Sequence, residues 1–260
     1  RYAILHDLPF FHDVKVLKET KKRVVRFHRD VPARFGILPR DGSGPVRWFE
    51  AEPCYILHVV NAYEDGDWVH QIGCRQADPE YQRDTKDGPL ASALAQRRRT
   101  HVLYRWSFNM ATGEVREGAL DDTNTEFPRI NPAVQGRRSR LSFNQLLPLP
   151  MAGHVHGQCQ TFDALVRYDT DTGASQRWAY GDGVFGNEAP MAPKKGRDLT
   201  TADERDAYVV TFLTDTNDWS SHCAVFDAAD IARGPIAKVK IPRRISAGFH
   251  ATWIAGEEIF

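Results

Sequence analysis

The sequence predicts an all-β fold, a β-propeller, from three observations: short apolar runs between turn residues, a repeat of about 60 residues, and polar positions recurring in register with that repeat. The runs are rich in Val, Ile, Tyr, Phe and Trp and are bounded by clusters of Asp, Gly, Pro and Asn, the pattern of strands joined by turns. Residues 47–49, 55–60, 102–108, 165–168, 208–213 and 224–226 are the clearest strands. The opening Arg1-Tyr-Ala-Ile-Leu also reads as strand, already under way, and with no initiator Met a preceding piece of the fold is expected. One stretch, 89–98, is expected to be helical, because Leu90 and Leu94 share a helix face ahead of a basic tail. It reads as a solvated insertion within a single propeller domain spanning 1–260.

The repeat appears when the turns are aligned. Tyr104-Arg-Trp-Ser-Phe leads to Gly113, Val166-Arg-Tyr-Asp leads to Gly173, and Val225-Phe-Asp leads to Gly234, so the glycines stand 60 and 61 residues apart. Each unit is a strand, a polar turn around Gly and a return strand, as in the outer hairpin of a propeller blade. An open sandwich would not require so regular a spacing.

Following each unit onward from its glycine gives the candidate site. Glu126 comes 13 residues after Gly113, Glu188 comes 15 after Gly173, and His250 comes 16 after Gly234; Glu126, Glu188 and His250 are spaced by 62 residues each. His58 precedes Glu126 by 68, the longer interval being explained by the helical insertion. Equivalent positions on successive blades face a common axis, so two histidines and two carboxylates are expected to converge. Glu126-Phe-Pro and Glu188-Ala-Pro share a Glu-x-Pro pattern in apolar surroundings. A carboxylate enters such surroundings only with a partner, because its desolvation costs several kcal/mol. His58 lies in Cys54-Tyr-Ile-Leu-His-Val-Val, a strand apolar enough to bury it. Two arrangements are open: all four side chains ligate one metal, or the carboxylates orient the histidines by accepting their second ring N–H.

These residues resemble the carotenoid cleavage oxygenases, a family that includes stilbene-cleaving dioxygenases and a retinoid isomerohydrolase. The resemblance runs through Arg34-Phe-Gly-Ile-Leu-Pro-Arg, the segment from Arg47 to Glu64, Thr125-Glu-Phe-Pro-Arg-Ile-Asn, Asn187-Glu-Ala-Pro and Gly248-Phe-His-Ala-Thr-Trp. It implies a seven-bladed propeller, of which this chain covers the later blades, with iron(II) on its axis held by four histidines. By this resemblance His58 and His250 match the third and fourth iron ligands. Glu126 and Glu188 match the glutamates that steer them, and the first two histidine ligands find no match here. It also implies the reaction: Fe(2+) and dioxygen split a C=C double bond of a carotenoid, apocarotenoid or phenolic stilbene into two carbonyl products.

Other histidines are expected to lie outside the site. His6 and His12 fall after the ligand strand in the resemblance and read as surface or loop residues, and His154-Val-His156 has a loop-like lead-in. An apolar tunnel is expected, with Phe10, Phe11, Phe127, Phe185, Phe249 and Trp253 as its lining or as core.

Composition limits the partners. Equal numbers of basic and acidic residues, 34 each, leave no field to attract nucleic acid. Four well-separated cysteines, Cys54, Cys74, Cys159 and Cys223, suit a reducing cytoplasm. No apolar run is long enough to span a bilayer, and Pro9-Phe10-Phe11 is the segment expected to carry any peripheral membrane contact. A calcium-dependent propeller hydrolase would need oxygen ligands beside Glu126 and Glu188, which His58 and His250 argue against. A non-catalytic scaffold would have no use for buried histidines in register with buried glutamates.

Overall fold

The computed structural model describes the chain except residues 81–84, 92–94, 96–98, 148–161, 197–202, 247, 249 and 257–260. Its strands are antiparallel throughout the described pairings and follow chain order within each main sheet. β1 (Tyr2–Asp7), β4 (Ala33–Pro39) and β5 (Arg47–Ala51) form one sheet, while β2 (Phe10–His12) and β3 (Val25–Phe27) form a small ribbon. β6 (Tyr55–Asp65), β7 (Trp68–Gln76), β8 (Val102–Asn109) and β9 (Val115–Ala119) form the next sheet. β10 (Thr125–Arg129), β11 (Leu141–Leu146), β12 (Ala164–Asp169) and β13 (Ser175–Ala179) form another. In the last sheet β14 (Val184–Gly186) and β15 (Met191–Pro193) both pair with β16 (Ala207–Asp215), which is followed by β17 (Ser220–Asp227) and β18 (Ala237–Ile241). Each strand read from sequence falls within one of these elements, except that Arg1 of the opening run precedes β1.

The chain divides into two compact units, Arg1–Val59 with Glu64–Asp122, and Val60–Tyr63 with Thr123–Phe260. Each holds a core between two sheets, as period-two alternation requires when one face of each strand is apolar. In the first unit Phe35, Ile37 and Phe49 pack on Trp106 and Phe108, with Phe35 5.0 Å from Phe108 and Phe49 5.2 Å from it. In the second unit Phe143 and Leu165 pack on Val209, Leu213 and Phe226, and Trp178 meets Phe226 edge to face at 5.1 Å. Burying each such side chain contributes about 1.5–3 kcal/mol.

The repeated glycines sit where the hairpin reading put them. Between β8 and β9, Asn109 Oδ1 accepts from the N–H groups of Ala111 and Thr112, and Gly113 takes φ +85°. Between β12 and β13, Asp169 Oδ1 accepts from Asp171 and Thr172, and Gly173 takes φ +74°. The two turns are built alike: a short polar side chain mimics a backbone acceptor and Gly supplies the left-handed residue. Between β17 and β18 the loop is longer, with a 3-10 turn at Ile231–Arg233 before Gly234 at φ +85°.

Helix content corrects the sequence reading, which expected 89–98 as the one convincing helix. A second helix, α1, spans Val14–Thr20, with Asp13 capping Val16 N–H at 3.0 Å and Lys21 in the left-handed region at φ +58°. None of its residues is buried, so it has no apolar stripe for periodicity to detect, and its cap is its only local signal. Of 89–98, Ala91 and Ala95 are helical, a 3-10 stretch covers Thr85–Leu90, and the remainder of 92–98 lies outside the described residues.

The exposure of Pro9-Phe10-Phe11 is also corrected. Pro9 is buried and Phe10 packs edge to face on Tyr55 at 5.0 Å, while Phe11 stays exposed, stacked on His28 at 4.2 Å. Among the described residues no helix is long and apolar enough to cross a membrane.

Two outcomes are expected. G173A places a Cβ on a residue at φ +74° and lowers the melting temperature by an amount equivalent to about 1 kcal/mol, whereas G118A in β9, without positive φ and with open space around its Cβ, leaves it unchanged. Burial pushes the Cys54 thiol up to about 12, so iodoacetamide at pH 8 modifies half-exposed Cys223 before Cys54 and reaches Cys54 only on unfolding, as peptide mass mapping would show.

Candidate metal centre

His58 and Glu126 each lie on the first strand of a sheet and Glu188 in a break between strands, while His250 lies in the segment after β18. His58 lies on β6, on the strand face it shares with Ile56, and is half-buried. Its backbone packs closely on the neighbouring strand: a Cβ at Gly73 would stand 3.2 Å from the His58 carbonyl oxygen. Glycine at 73 therefore permits the tight approach behind the histidine. His58 belongs to the first compact unit, whereas Glu126, Glu188 and His250 belong to the second.

Glu126 is 1% exposed on β10, opposite Gln145. After it the ladder slips: Arg129 pairs with Phe143, so Phe127 and Pro128 together oppose Asn144, a β-bulge. Pro128 has no N–H for the ladder, and Phe127 takes φ +52°, a costly conformation for an aromatic residue. The Phe127 N–H turns to the carboxylate of Glu126 at 2.5 Å. Phe127 itself is 1% exposed, a core residue whose ring nevertheless lies 5.2 Å from that of His250.

Glu188 occupies the gap between β14 and β15. Gly186 before it has no room for a side chain, since a Cβ would fall 2.3 Å from the Tyr180 ring. The Asn187 side-chain amide donates to the Phe212 carbonyl at 2.9 Å, and Pro190 removes a donor just before pairing resumes at Met191. Thus the Glu-x-Pro pattern marks a local interruption of the first strand at both glutamates, and the interruption frees each carboxylate from the alternation of the sheet. Nearby, the Tyr180 hydroxyl donates to Gln145 at 2.6 Å, and burial raises its pKa above the ordinary tyrosine range.

The carboxylate of Glu188, 5% exposed, has three neighbours. Arg129 approaches Oε1 at 2.7 Å, the Ala251 N–H donates to Oε2 at 2.5 Å, and His250 Nδ1 lies 3.3 Å from Oε2. The His250 side chain is 58% exposed. With Nδ1 beside Glu188, Nε2 is the ring nitrogen that a metal would take. The structure therefore brings together Glu188 and His250, and adds Arg129, which the sequence reading missed. Its signal was present: a charged residue in the otherwise apolar Glu-Phe-Pro-Arg-Ile segment, and a buried glutamate that needed a cation.

The remaining expected residues divide. His6 is exposed on β1 and bonds Gln71 at 2.8 Å, and His12 is exposed on β2, so both are surface residues but on strands rather than in loops. His154, His156, Cys159 and Phe249 lie outside the described residues. Trp253, half-exposed, lines a cleft of about 830 Å³ with Tyr208, Val210, Cys223 and Val225, on the face of β16 and β17 away from the core. Phe185 lines a separate cleft. Among the described residues no group of three or more His, Cys, Asp or Glu side chains is arranged to hold a metal.

Antiparallel sheets in chain order, with His58 and Glu126 on the first strands of two of them and Glu188 beside the first strand of another, define the class: this is the fold of the β-propeller enzymes. The chain belongs to the family of the retinal pigment epithelial membrane protein, RPE65, whose model matches residues 1–255. It is 32% identical over 268 residues to carotenoid 9,10(9′,10′)-cleavage dioxygenase 1 of Arabidopsis thaliana, covering 99% of this chain and 47% of that protein. It is 25% identical to isoeugenol monooxygenase of Pseudomonas nitroreducens, covering 97% of this chain and 52% of that protein. The crystal structure of Pseudomonas brassicacearum lignostilbene dioxygenase superposes with a TM-score of 0.78 at 26% identity, over 98% of this chain and 53% of that one. The chain thus spans about half the length of the relatives it matches.

Removing the Glu188 carboxylate should be costly. E188A leaves Arg129 without its counterion and the Ala251 N–H without its acceptor, and is expected to cost about 3 kcal/mol in denaturant titrations. R116A, which breaks an exposed pair with Glu114, should cost well under 1 kcal/mol by the same measurement.

Proposed function

We propose that this chain is part of an iron(II) dioxygenase that cleaves a C=C double bond of a carotenoid, apocarotenoid or related conjugated alkene. The observation that carries this reading is the His250–Glu188 contact at 3.3 Å, in a chain whose family is iron dependent. Donor chemistry fits the metal. His58 and His250 offer imidazole nitrogens, a donor type that suits iron, whereas calcium would call for oxygen ligands. The Glu188 oxygens are already engaged by Arg129 and Ala251, which supports an orienting role over direct ligation. A carboxylate at Nδ1 holds the ring tautomer with Nε2 unprotonated and makes that nitrogen more basic.

Iron, when bound, supplies dioxygen activation beside the alkene. The overall step is balanced without a reductant: the carbon–carbon double bond breaks, and each carbon gains one atom of dioxygen to become a carbonyl. The protein's share is to hold the imidazoles, exclude competing water and place one bond of the substrate at the site. For an apolar conjugated substrate that placement needs apolar walls, and the cleft bearing Trp253 is a candidate wall three residues beyond His250. A phenolic stilbene is the second reading, favoured by the 26% identity and close superposition with lignostilbene dioxygenase.

The test is to express the complete open reading frame, reconstitute it with ferrous iron, and identify products from a panel of carotenoids, apocarotenoids and stilbenes by mass spectrometry. Paired aldehydes or ketones are expected, with both oxygens derived from ¹⁸O₂. Bound calcium in place of iron, or no product from any substrate, would count against oxygenation. E126Q and E188Q are expected to lower iron retention or turnover about 10- to 100-fold while the circular dichroism spectrum stays native. Unchanged iron content and rate in both would remove their orienting role.

A further inference from the structure

Resting on that reading of His250 as a ligand, we propose that Arg129 is a positioning residue: it fixes the backbone after His250 and the carboxylate beside it, and so sets the direction of the imidazole. One guanidinium nitrogen of Arg129 forms an ion pair with Glu188 Oε1 at 2.7 Å and donates a hydrogen bond to the Ala251 carbonyl at 2.7 Å. Glu188 in turn accepts the Ala251 N–H through Oε2. Both polar backbone atoms of Ala251 are thereby tied to one ion pair, leaving the backbone immediately after His250 little freedom in φ and ψ. The His250 ring then has Glu188 beside Nδ1 and Phe127 at 5.2 Å, inclined by 40°.

The bulge in β10 is what aims these groups. Strand side chains alternate between faces, so one extra residue transfers everything after it to the opposite face. Without the slip Arg129 would stand opposite Ser142; with it, Arg129 stands opposite Phe143. The same slip puts Phe127 at φ +52°. Non-glycine residues hold such a conformation only when the surrounding contacts over-determine it, and here those contacts include the candidate ligand itself. A surface arginine that merely neutralised Glu188 would need neither the second bond to Ala251 nor the bulge.

The experiment uses the complete protein and two readouts besides turnover, Fe(II) affinity by chelator competition and the visible absorption bands of the Co(II)-substituted protein, which report ligand geometry. R129M is expected to weaken Fe(II) binding about tenfold and to alter the Co(II) bands, with R129K recovering part of both. Because Arg129 acts through Glu188, R129M introduced into E188Q should add little further loss. Should R129M not fold, R129Q, which keeps a side-chain N–H donor, carries the same test. Wild-type affinity and bands in the neutral variant that folds, or losses that simply add in the double variant, would overturn the proposal. A wild-type protein that binds no Fe(II) would instead overturn the iron reading beneath it.

Discussion

Desolvation of a carboxylate organises the second compact unit. Glu188 is almost wholly withdrawn from water, and an ionised group in that state is stable only if each oxygen meets a donor. Arg129, the Ala251 N–H and His250 are those neighbours, and they come from two separated parts of the chain, which meet on Glu188 from a third. The burial therefore constrains β10, the break between β14 and β15, and the segment after β18 to one mutual arrangement. A glutamate left without these partners would pull the gap in the sheet open to water.

The backbone meets this constraint with interruptions placed at the ends of ordinary strands. Pro128 and Pro190 withdraw N–H groups from the ladder, a bulge follows Glu126, and a gap surrounds Glu188. In the other strand pairings whose register is described no slip occurs, and the aromatic cores of both units, around Phe35 and Trp106 and around Phe143 and Phe226, supply the burial that such local defects draw upon. Regular hairpins closed by Asn109 with Gly113 and by Asp169 with Gly173 keep the outer strands in register, so the irregularity is confined to the first strands.

This division suits a metal-dependent enzyme. Rigid strands hold a side chain more accurately than loops do, while a bulge or a gap allows a departure from strict alternation where the chemistry needs one. On the proposed reading the glutamates act through the imidazoles rather than on the substrate. Arg129 adds a further layer of support, so that ring orientation is set by charge pairing and by backbone bonding together.

Much of this was legible in the residues themselves. Alternating apolar runs, Asp and Asn before turn glycines, and proline after glutamate act over a few positions, so strands and hairpins could be read directly, while register alone singled out residues 58, 126, 188 and 250. The exposed helix at Val14–Thr20 escaped because, burying nothing, it leaves no periodic stripe. The bond from Arg129 to Glu188 escaped for a different reason: it joins positions far apart in the chain, and whether a side chain beyond a bulge points toward or away from its partner depends on a register slip that only hydrogen bonding to the neighbouring strand decides. Local chemistry chose the strands, the turns and the places where strands break, whereas the direction of Arg129 and the company of Glu188 were decided by tertiary structure, because a buried charge selects its partners from whatever the folded chain brings within reach.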